Sequence, residues 1–596
     1  MFESTDASET QDTGYSLPVG GSFYGALDAA GDRDWIAVTL EAGVTYQISQ
    51  SGYWGGGGTL DDGLLRIYDS SGLQVASNDD GRHGNDAEVD FTPTSSGLYY
   101  VSVGSYRDKL TGTYRLDIDS DTATPAVGDF ASVESLADYL VDGYWEETSR
   151  DERSFALQDS NQITVNLTGL TAEGKQLARW ALDAWEMVAD LDFVEVKKNG
   201  QITFDDDSSG SFTNTTTWGT TIVSAEINVA SGWLNRFGAE LNSYSMVAYV
   251  HEIGHALGLG HMGKYDGGAV YGKSETFLND SWQVSVMSYF SQSENTAVDA
   301  DYGLPITAMM ADVMAIQSIY GAAENGVTAG NSVWGHGSDF GTYLDDAFDS
   351  FLEGSDAALG SNRNFVFTIY DASGTDTLDL SPLTTDNKVD LNEGAYSDIN
   401  GRTGAMAIAE GTEIENLNLG SGDDTVTGNR LDNEIDGGAG NDLIKAAGGD
   451  DWVWGRDGND VIYGGAGRDI IFGNAGDDCL MGGAGNDLLV GQTDDDLLNG
   501  GTGDDVLSGG RGADSFCFFL GSGNDRIKDF DYSEGDRLKL DRDLVSVTVD
   551  SLGALFETCG SVDGNGIVFQ FDSGDTLALT SVFNLDAAGA DALFWV

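Results

Sequence analysis

The feature that most limits how this chain can fold is a nine-residue repeat. From Leu419 to Cys517, eleven nonapeptides follow one another without a phase slip, on the template Gly-Gly-x-Gly-x-Asp-x-apolar-x. GGAGNDLIK begins at Gly437, GGAGRDIIF at Gly464, GGAGNDLLV at Gly482 and GGTGDDVLS at Gly500. The eighth position is apolar in every unit, from Val426 and Ile435 to Leu507 and Phe516. The sixth is Asn433 in one unit and Asp in the other ten: Asp424, Asp442, Asp451, Asp460, Asp469, Asp478, Asp487, Asp496, Asp505 and Asp514. A Gly-rich turn followed by a short strand, repeated in this way, stacks as a solenoid. Two units make one coil of a parallel β-roll. Turns then align every eighteen residues, with Asp442, Asp460, Asp478 and Asp496 on one edge and Asp451, Asp469, Asp487 and Asp505 on the other. Stacked carboxylates repel unless a cation lies between them, and Ca2+ accepts six to eight oxygens. The eighth-position side chains fill too thin an interior to hold alone. The repeat therefore predicts several structural Ca2+ ions and folding coupled to their binding. A Gly-Asp linker of low complexity would not keep apolar residues in phase over eleven units.

Positions seven and nine of each unit point outward. In even units they include Trp452, Trp454, Ile470, Phe472, Leu488 and Val490; in odd units, Thr425, Lys445 and Asn499. The even-unit sheet is expected to be covered by other protein, first of all the rest of this chain, with self-association as the alternative.

The charge balance agrees with cation binding. Acidic residues number 99 against 28 basic, a formal net charge of −71. That excludes nucleic acid and an anionic membrane surface as partners, since both need Lys and Arg. No apolar run reaches the length of a membrane span. The start, MFESTDASETQDTG, lacks the apolar core of a classical signal peptide. Cys479, Cys517 and Cys559 are too few to make a disulfide framework.

A chain of 596 residues should hold several domains. Residues 1–14 read as disordered. Residues 15–119 alternate in short strands (WIAVTL, LLRIYDSSG, LYYVSVG) and predict an all-β sandwich. Residues 120–129 read as a linker. Residues 130–322 mix helical and strand periods, an α+β domain, with a helix capped by Thr171. Residues 323–596 hold the parallel β-roll. The strand TTIVSAEINV, 220–229, is the candidate for an exposed edge that an extended peptide could pair with.

Three of the chain's five histidines fall in eleven residues, His251-Glu-Ile-Gly-His255-Ala-Leu-Gly-Leu-Gly-His261. A spacing of four puts His251 and His255 on one helix face. Gly258 lets the backbone leave the helix through a conformation closed to other residues and return His261 as a third ligand. Three imidazoles suit one catalytic Zn2+ with an open position for water. Glu252, beside His251 but not aimed at the ion, is placed to take a proton from that water.

On these residues the chain resembles the metzincins, and within them the serralysin family. Ser285-Val286-Met287-Ser288-Tyr289 matches their methionine turn. The resemblance implies that Met287 lies beneath the metal. It implies that Tyr289 ligates zinc at rest, swings away when substrate binds, and donates a hydrogen bond to the oxyanion. Met262 stands where many relatives have Pro. The nonapeptides resemble the repeats-in-toxin module of the same family, as do NFVFTIYDASGTDTLDLS (364–381) and DRIKDFDYSEGDRLKL (525–540). Residues around Asp32-Arg33-Asp34-Trp35, Asn78-Asp79-Asp80 and Ser96-Gly97-Leu98-Tyr99-Tyr100 resemble the bacterial pre-peptidase C-terminal (PPC) domain, in which Asp34, Asp79 and Asp80 would be calcium candidates. Together these imply a secreted zinc endopeptidase of broad specificity, acting on proteins and peptides. They imply export to the extracellular medium by the type I secretion machinery of a Gram-negative bacterium, with the export signal around Asp591–Val596. A monomer is expected. The rival reading is a non-catalytic, calcium-dependent adhesin or surface protein, which would need neither Glu252 nor Tyr289.

Overall fold

The computed structural model describes residues 15–120 apart from stretches of at most eight residues, 130–352 apart from 158–159, and 364–595 apart from 548, 584 and 586–591. Residues 1–14, 121–129 of the expected linker, Asp79, Asp80, Asp591 and Val596 lie outside the described residues. The chain forms two compact units. One is Met1–Ser132 with Thr276–Leu278; the other is Val133–Glu275 with Asn279–Val596. No helix among the described residues is long and apolar enough to cross a membrane.

The first unit is the expected β-sandwich. Its strands are β1 (Gly21–Leu27), β2 (Arg33–Leu40), β3 (Tyr46–Ser51), β4 (Gly63–Asp69), β5 (Gln74–Asn78), β6 (Ala87–Phe91), β7 (Gly97–Ser105) and β8 (Gly112–Ser120). They form two antiparallel sheets, ordered β1-β8-β3-β6 and β2-β7-β4-β5. The strands alternate because one face of each sheet must leave water. In β2, Ile36, Val38 and Leu40 are buried and join Phe23, Ile48, Ile67 and Leu116 in one core. Asp34, a calcium candidate by resemblance, points into that core, where the Tyr114 hydroxyl donates to it at 2.6 Å.

The second unit opens with an α/β region. Strands β9 (Gln162–Gly169), β10 (Asp192–Glu195), β11 (Ile202–Asp205), β12 (Ser211–Trp218) and β13 (Thr221–Val229) lie in the order β10-β9-β11-β13-β12. Only β12 runs antiparallel among these five. Helix α1 (Ala172–Glu186) starts at Thr171, whose hydroxyl accepts from Gly174 N at 3.2 Å. It packs on helix α2 (Tyr244–Leu257), and the Trp185 indole donates to the Val250 carbonyl at 3.1 Å. Helix α3 (Met310–Tyr320) closes the region. The edge expected at 220–229 is a correction: that stretch is β13, paired on both sides, and the edge is β12. The physical reason is β12's composition. Phe212, Asn214, Thr216 and Trp218 all face solvent, and Ser211, Thr213 and Thr215 on the other face are polar. Such a strand carries no hydrophobic alternation to betray it.

The roll follows the nonapeptides. Its strands are β14 (Glu434–Asp436), β15 (Leu443–Gly448), β16 (Trp452–Asp457), β17 (Val461–Ala466), β18 (Ile470–Ala475), β19 (Cys479–Ala484), β20 (Leu488–Thr493), β21 (Leu497–Thr502), β22 (Val506–Arg511), β23 (Ser515–Phe518) and β24 (Asn524–Ile527). Even-numbered strands pair in parallel within one sheet and odd-numbered strands within the other. All eighth-position residues are at most 1% exposed and meet between the sheets. The turns approach closely enough to demand glycine. Gly485 sits at φ +140°, and a Cβ there would lie 1.6 Å from the Gly467 carbonyl oxygen. The expectation that the rest of the chain covers the even sheet fails at Trp452. Trp452 keeps 49% of its surface in solvent, and its neighbours Trp454 and Phe472 remain half-buried.

Candidate metal centre

The centre is built at the C-terminal end of α2. Ser243 caps the helix start, accepting from Met246 N at 3.2 Å. At the other end Gly258 takes φ +119°, and any Cβ there would meet the Arg153 carbonyl oxygen at 2.0 Å. The last carbonyls do not go unpaired: Tyr320 Oη donates to Leu257 O at 2.7 Å and Trp145 Nε1 to Gly258 O at 2.9 Å. The chain then returns His261 over the helix.

The three imidazoles converge. Ring centroids are 4.6 Å apart for His251 and His255, 5.3 Å for His251 and His261, and 4.4 Å for His255 and His261. One ring nitrogen of each lies within 4.8 Å of the others. Backbone carbonyls fix two of the tautomers. His255 Nδ1 lies 2.8 Å from Leu259 O, and His251 Nδ1 lies 2.9 Å from Val286 O. A carbonyl only accepts, so each Nδ1 carries the proton and each Nε2 presents a lone pair. Burial first, then the neighbouring imidazoles, lowers His255 to about 3 and His261 well below its ordinary value. These rings are neutral at physiological pH, the form a metal needs. The Nε2 atoms of His255 and His261 stand 2.9 Å apart. Protonated on Nε2, His261 donates a hydrogen bond to His255 across this gap; protonated on Nδ1, it joins His255 in presenting a lone pair to one ion. The donor set therefore fits a zinc ion.

Glu252 projects from the same helix and is 6% exposed. Its carboxylate is gripped from the edge strand: Ser211 Oγ donates to Oε1 at 2.7 Å, and the single proton of Thr213 Oγ1 is shared between Oε2 and the Glu252 carbonyl oxygen, each at 2.8 Å. Met287 lies beneath α2, so close that a Cβ on Gly254 would be 2.6 Å from its sulfur. Tyr289 stacks edge-on to His261 at 4.6 Å, and burial raises its phenol to about 12, so it stays a hydrogen-bond donor. Two buried acids hold this turn. Asp312 accepts from Ser285 Oγ (2.6 Å), Val286 N (2.7 Å) and Met309 N (2.9 Å). Asp280 accepts from Ser288 Oγ (2.5 Å) and from Tyr265 Oη, whose ring lies 4.7 Å from that of Tyr289.

The sixth-position aspartates line both edges of the roll. Asp424 N donates to Asp442 Oδ1, and the pattern runs on through Asp460, Asp478, Asp496 and Asp514, each step 2.8–3.0 Å. Asn433, Asp451, Asp469, Asp487 and Asp505 repeat it on the other edge. The second oxygen, Oδ2, of all ten aspartates is buried without a hydrogen-bond partner. Burial, chiefly, raises Asp451 and Asp496 to about 8 and Asp442, Asp478 and Asp487 to about 7. A buried anionic oxygen without a partner is costly, and a column of them fits a column of Ca2+.

Several residues here escaped the reading of the sequence. Ser211 and Thr213 lie some forty positions from Glu252, and nothing local marks them. Asp525 and Asp536 extend the two columns by accepting from Asp505 N and Asp514 N, at spacings of 20 and 22 rather than 18. For Asp525 a signal existed: Gly521-Ser-Gly-Asn-Asp525-Arg-Ile527 is the repeat template after a two-residue slip.

Comparison with known proteins follows the same division. Residues 323–593 match the family described as peptidase M10 serralysin C terminal, and residues 32–105 match the bacterial pre-peptidase C-terminal domain. Over about half its length the chain is similar to serralysins. It is 34% identical over 284 residues to serralysin of Photorhabdus luminescens, covering 44% of this chain and 53% of that protein. It is 35% identical over 264 residues to serralysin B of Dickeya chrysanthemi (42% and 52%). It is 33% identical over 299 residues to metallopeptidase AprA of Pseudomonas marginalis (47% and 60%). The chain thus spans about half the length of the curated relatives it matches. A PPC-like sandwich, an α/β region and a parallel roll make it multidomain.

Proposed function

We propose that this chain is a zinc-dependent endopeptidase that hydrolyses proteins with broad specificity and is stabilised by Ca2+ in its roll. The observation that carries the reading is three converging imidazoles, two of them with facing Nε2 atoms 2.9 Å apart, beside a gripped carboxylate. His251, His255 and His261 would hold the zinc, joined at rest by Tyr289. When bound, zinc polarises the scissile carbonyl and makes water a nucleophile at neutral pH. Glu252 takes the proton of the attacking water and passes it to the leaving amine. Tyr289, a phenol held protonated by burial, donates to the oxyanion as its charge develops. β12, unpaired on its outer side among the described residues, offers an edge to which an extended substrate can add as a strand, through backbone groups common to every sequence. Asp424, Asp442, Asp451, Asp460, Asp469, Asp478, Asp487, Asp496, Asp505 and Asp514, with Asp525, would hold the calcium. Extracellular action after type I export, with folding on meeting calcium outside the cell, belongs to the same reading.

The test is casein hydrolysis by the wild type and by Glu252→Ala, each after chelation and after separate return of zinc and calcium. Activity in the wild type alone, requiring zinc, is expected. Equal activity in the two proteins sinks the assignment and leaves the adhesin.

A further inference from the structure

The outer face of the even sheet has an order that the repeat does not require. Adjacent strands β14, β16, β18, β20, β22 and β24 pair in register. One outward column therefore runs Glu434, Trp452, Ile470, Leu488, Val506, Arg526. The second runs Asp436, Trp454, Phe472, Val490, Ser508 and then Lys528, whose N–H donates to Leu507 O. Across these six of the sheet's twelve strands both columns run from acidic through aromatic and aliphatic to basic residues, and the ladder continues into Asn416 and Asn418 on the acidic side and Ala578 on the basic side. Trp454 and Phe472 stack at 6.2 Å with planes 8° apart, and Trp452 is 49% exposed. Asp436 is already engaged by Arg456 at 2.6 Å, which leaves exposed Glu434 as the acidic end and exposed Arg526 and Lys528 as the basic end.

We infer that this face pairs with the same face of a second copy of the chain. A two-fold axis lying along the strands, between β18 and β20, reverses strand order and keeps each column over itself. It sets Glu434 against the partner's Arg526, Trp452 against the partner's Val506 and Ile470 against the partner's Leu488. The match is self-complementary in charge and in apolar character, as an isologous interface must be. Charge also selects the occupant. The chain carries −71 overall, so two copies repel unless the touching surfaces bring their own cations. This face does so at one end and presents the matching acid at the other. Six strands spaced ~4.8 Å apart give a contact of roughly 1,000 Å² in total, the size of a weak and reversible association.

The experiment is sedimentation velocity on the full chain, calcium-saturated, from sub-micromolar to hundreds of micromolar. A monomer–dimer equilibrium is expected, with dimer prevailing at the upper end. Phe472→Asp should leave only monomer. Glu434→Lys should weaken the dimer about 10-fold, by turning two attractions into repulsions. Glu434→Lys combined with Arg526→Glu should restore it to within about 2-fold, because the swap rebuilds both pairs. These positions point outward, and each variant is checked for the wild-type calcium-dependent sheet signal. A monomer at every concentration overturns the inference, with the face then left to another part of this chain or to a different protein. So does a dimer indifferent to Phe472→Asp, or a swap that fails to restore what Glu434→Lys removed.

Discussion

The histidine pocket and the aspartate columns are both buried sites suited to divalent cations, yet burial pushes them in opposite directions. Leaving water disfavours the charged form of any group. For an imidazole that form is the protonated one, so burial lowers His255 to about 3 and leaves a neutral ligand. For a carboxylate the charged form is the ligand itself, so burial raises Asp451 to about 8. The buried imidazole is therefore already in the form that binds an ion. The pocket also rests on groups that need no ion: the Ser243 cap, the Gly258 turn and the Asp312 bonds. The columns are the reverse. Their strands are short, their interior is one layer of side chains, and their carboxylates oppose the fold until a cation is present. In the proposed function one ion would serve chemistry and the others folding, and the sign of a single desolvation effect separates the two.

The largest break in that comparison should come from calcium removal. Chelation followed by zinc return should melt the roll, while the sandwich, with its own core of Phe23, Ile36, Ile48 and Leu116, stays folded. Limited proteolysis read by mass spectrometry should then leave a protected fragment near residues 15–120. A calcium-free chain with its roll intact would mean that the columns do not need their ions. Next in size is the pocket. Glu252→Gln should lower kcat about 10²- to 10⁴-fold with zinc content unchanged, since the carboxylate moves protons and does not hold the ion. Metal analysis beside the kinetics checks both halves. Loss of zinc in that variant would place Glu252 among the ligands.

What could be read in the sequence was what depends on short spacing. Thr171 announced α1, His251 to His261 announced the pocket, and the nine-residue period announced both aspartate columns. What could not be read depends on chain segments meeting in space. The grip of Ser211 and Thr213 on Glu252 spans some forty residues, and the edge strand that supplies it has no apolar alternation. Asp525 and Asp536 dropped out because short insertions broke the phase, although their place in the columns is the same. The even sheet is the intermediate case. Its outward apolar residues were evident, but its exposure emerged only from the structure.

A third prediction sharpens the contrast through pH. In the ion-free roll burial first and neighbouring aspartates second raise Asp442 to about 7 and Asp451 and Asp496 to about 8. The unfolded chain titrates near about 4. Between those values the folded state binds more protons, so its stability is greatest at low pH and is lost as pH rises through about 7 to 8. The calcium-free chain should therefore gain sheet signal on going from pH 8 to pH 5, and calcium binding at pH 7 should release protons. Circular dichroism and unbuffered titration check the two. Sheet signal that falls on acidification would show that protons do not replace calcium there.

The smallest effect tests how ready the pocket is. Ser211 gives the Glu252 carboxylate a hydrogen bond of the charge-assisted kind worth roughly 1.5–3 kcal/mol, and Thr213 gives it a second one shared with the Glu252 carbonyl oxygen. If those bonds aim the carboxylate at the attacking water, losing one should slow proton transfer without touching substrate affinity. Thr213→Val should then lower kcat about 3- to 30-fold, with KM and zinc content unchanged. Thr213→Ser, which keeps the hydroxyl and drops only a methyl group, should recover most of the loss. A merely structural Thr213 would behave otherwise: Val, its isostere on a β-strand, would be the better tolerated of the two, and any deficit would appear in thermal stability instead of kcat. Equal kcat for the valine and serine variants would show that the carboxylate is aimed by its own helix, and that the edge strand serves the substrate alone.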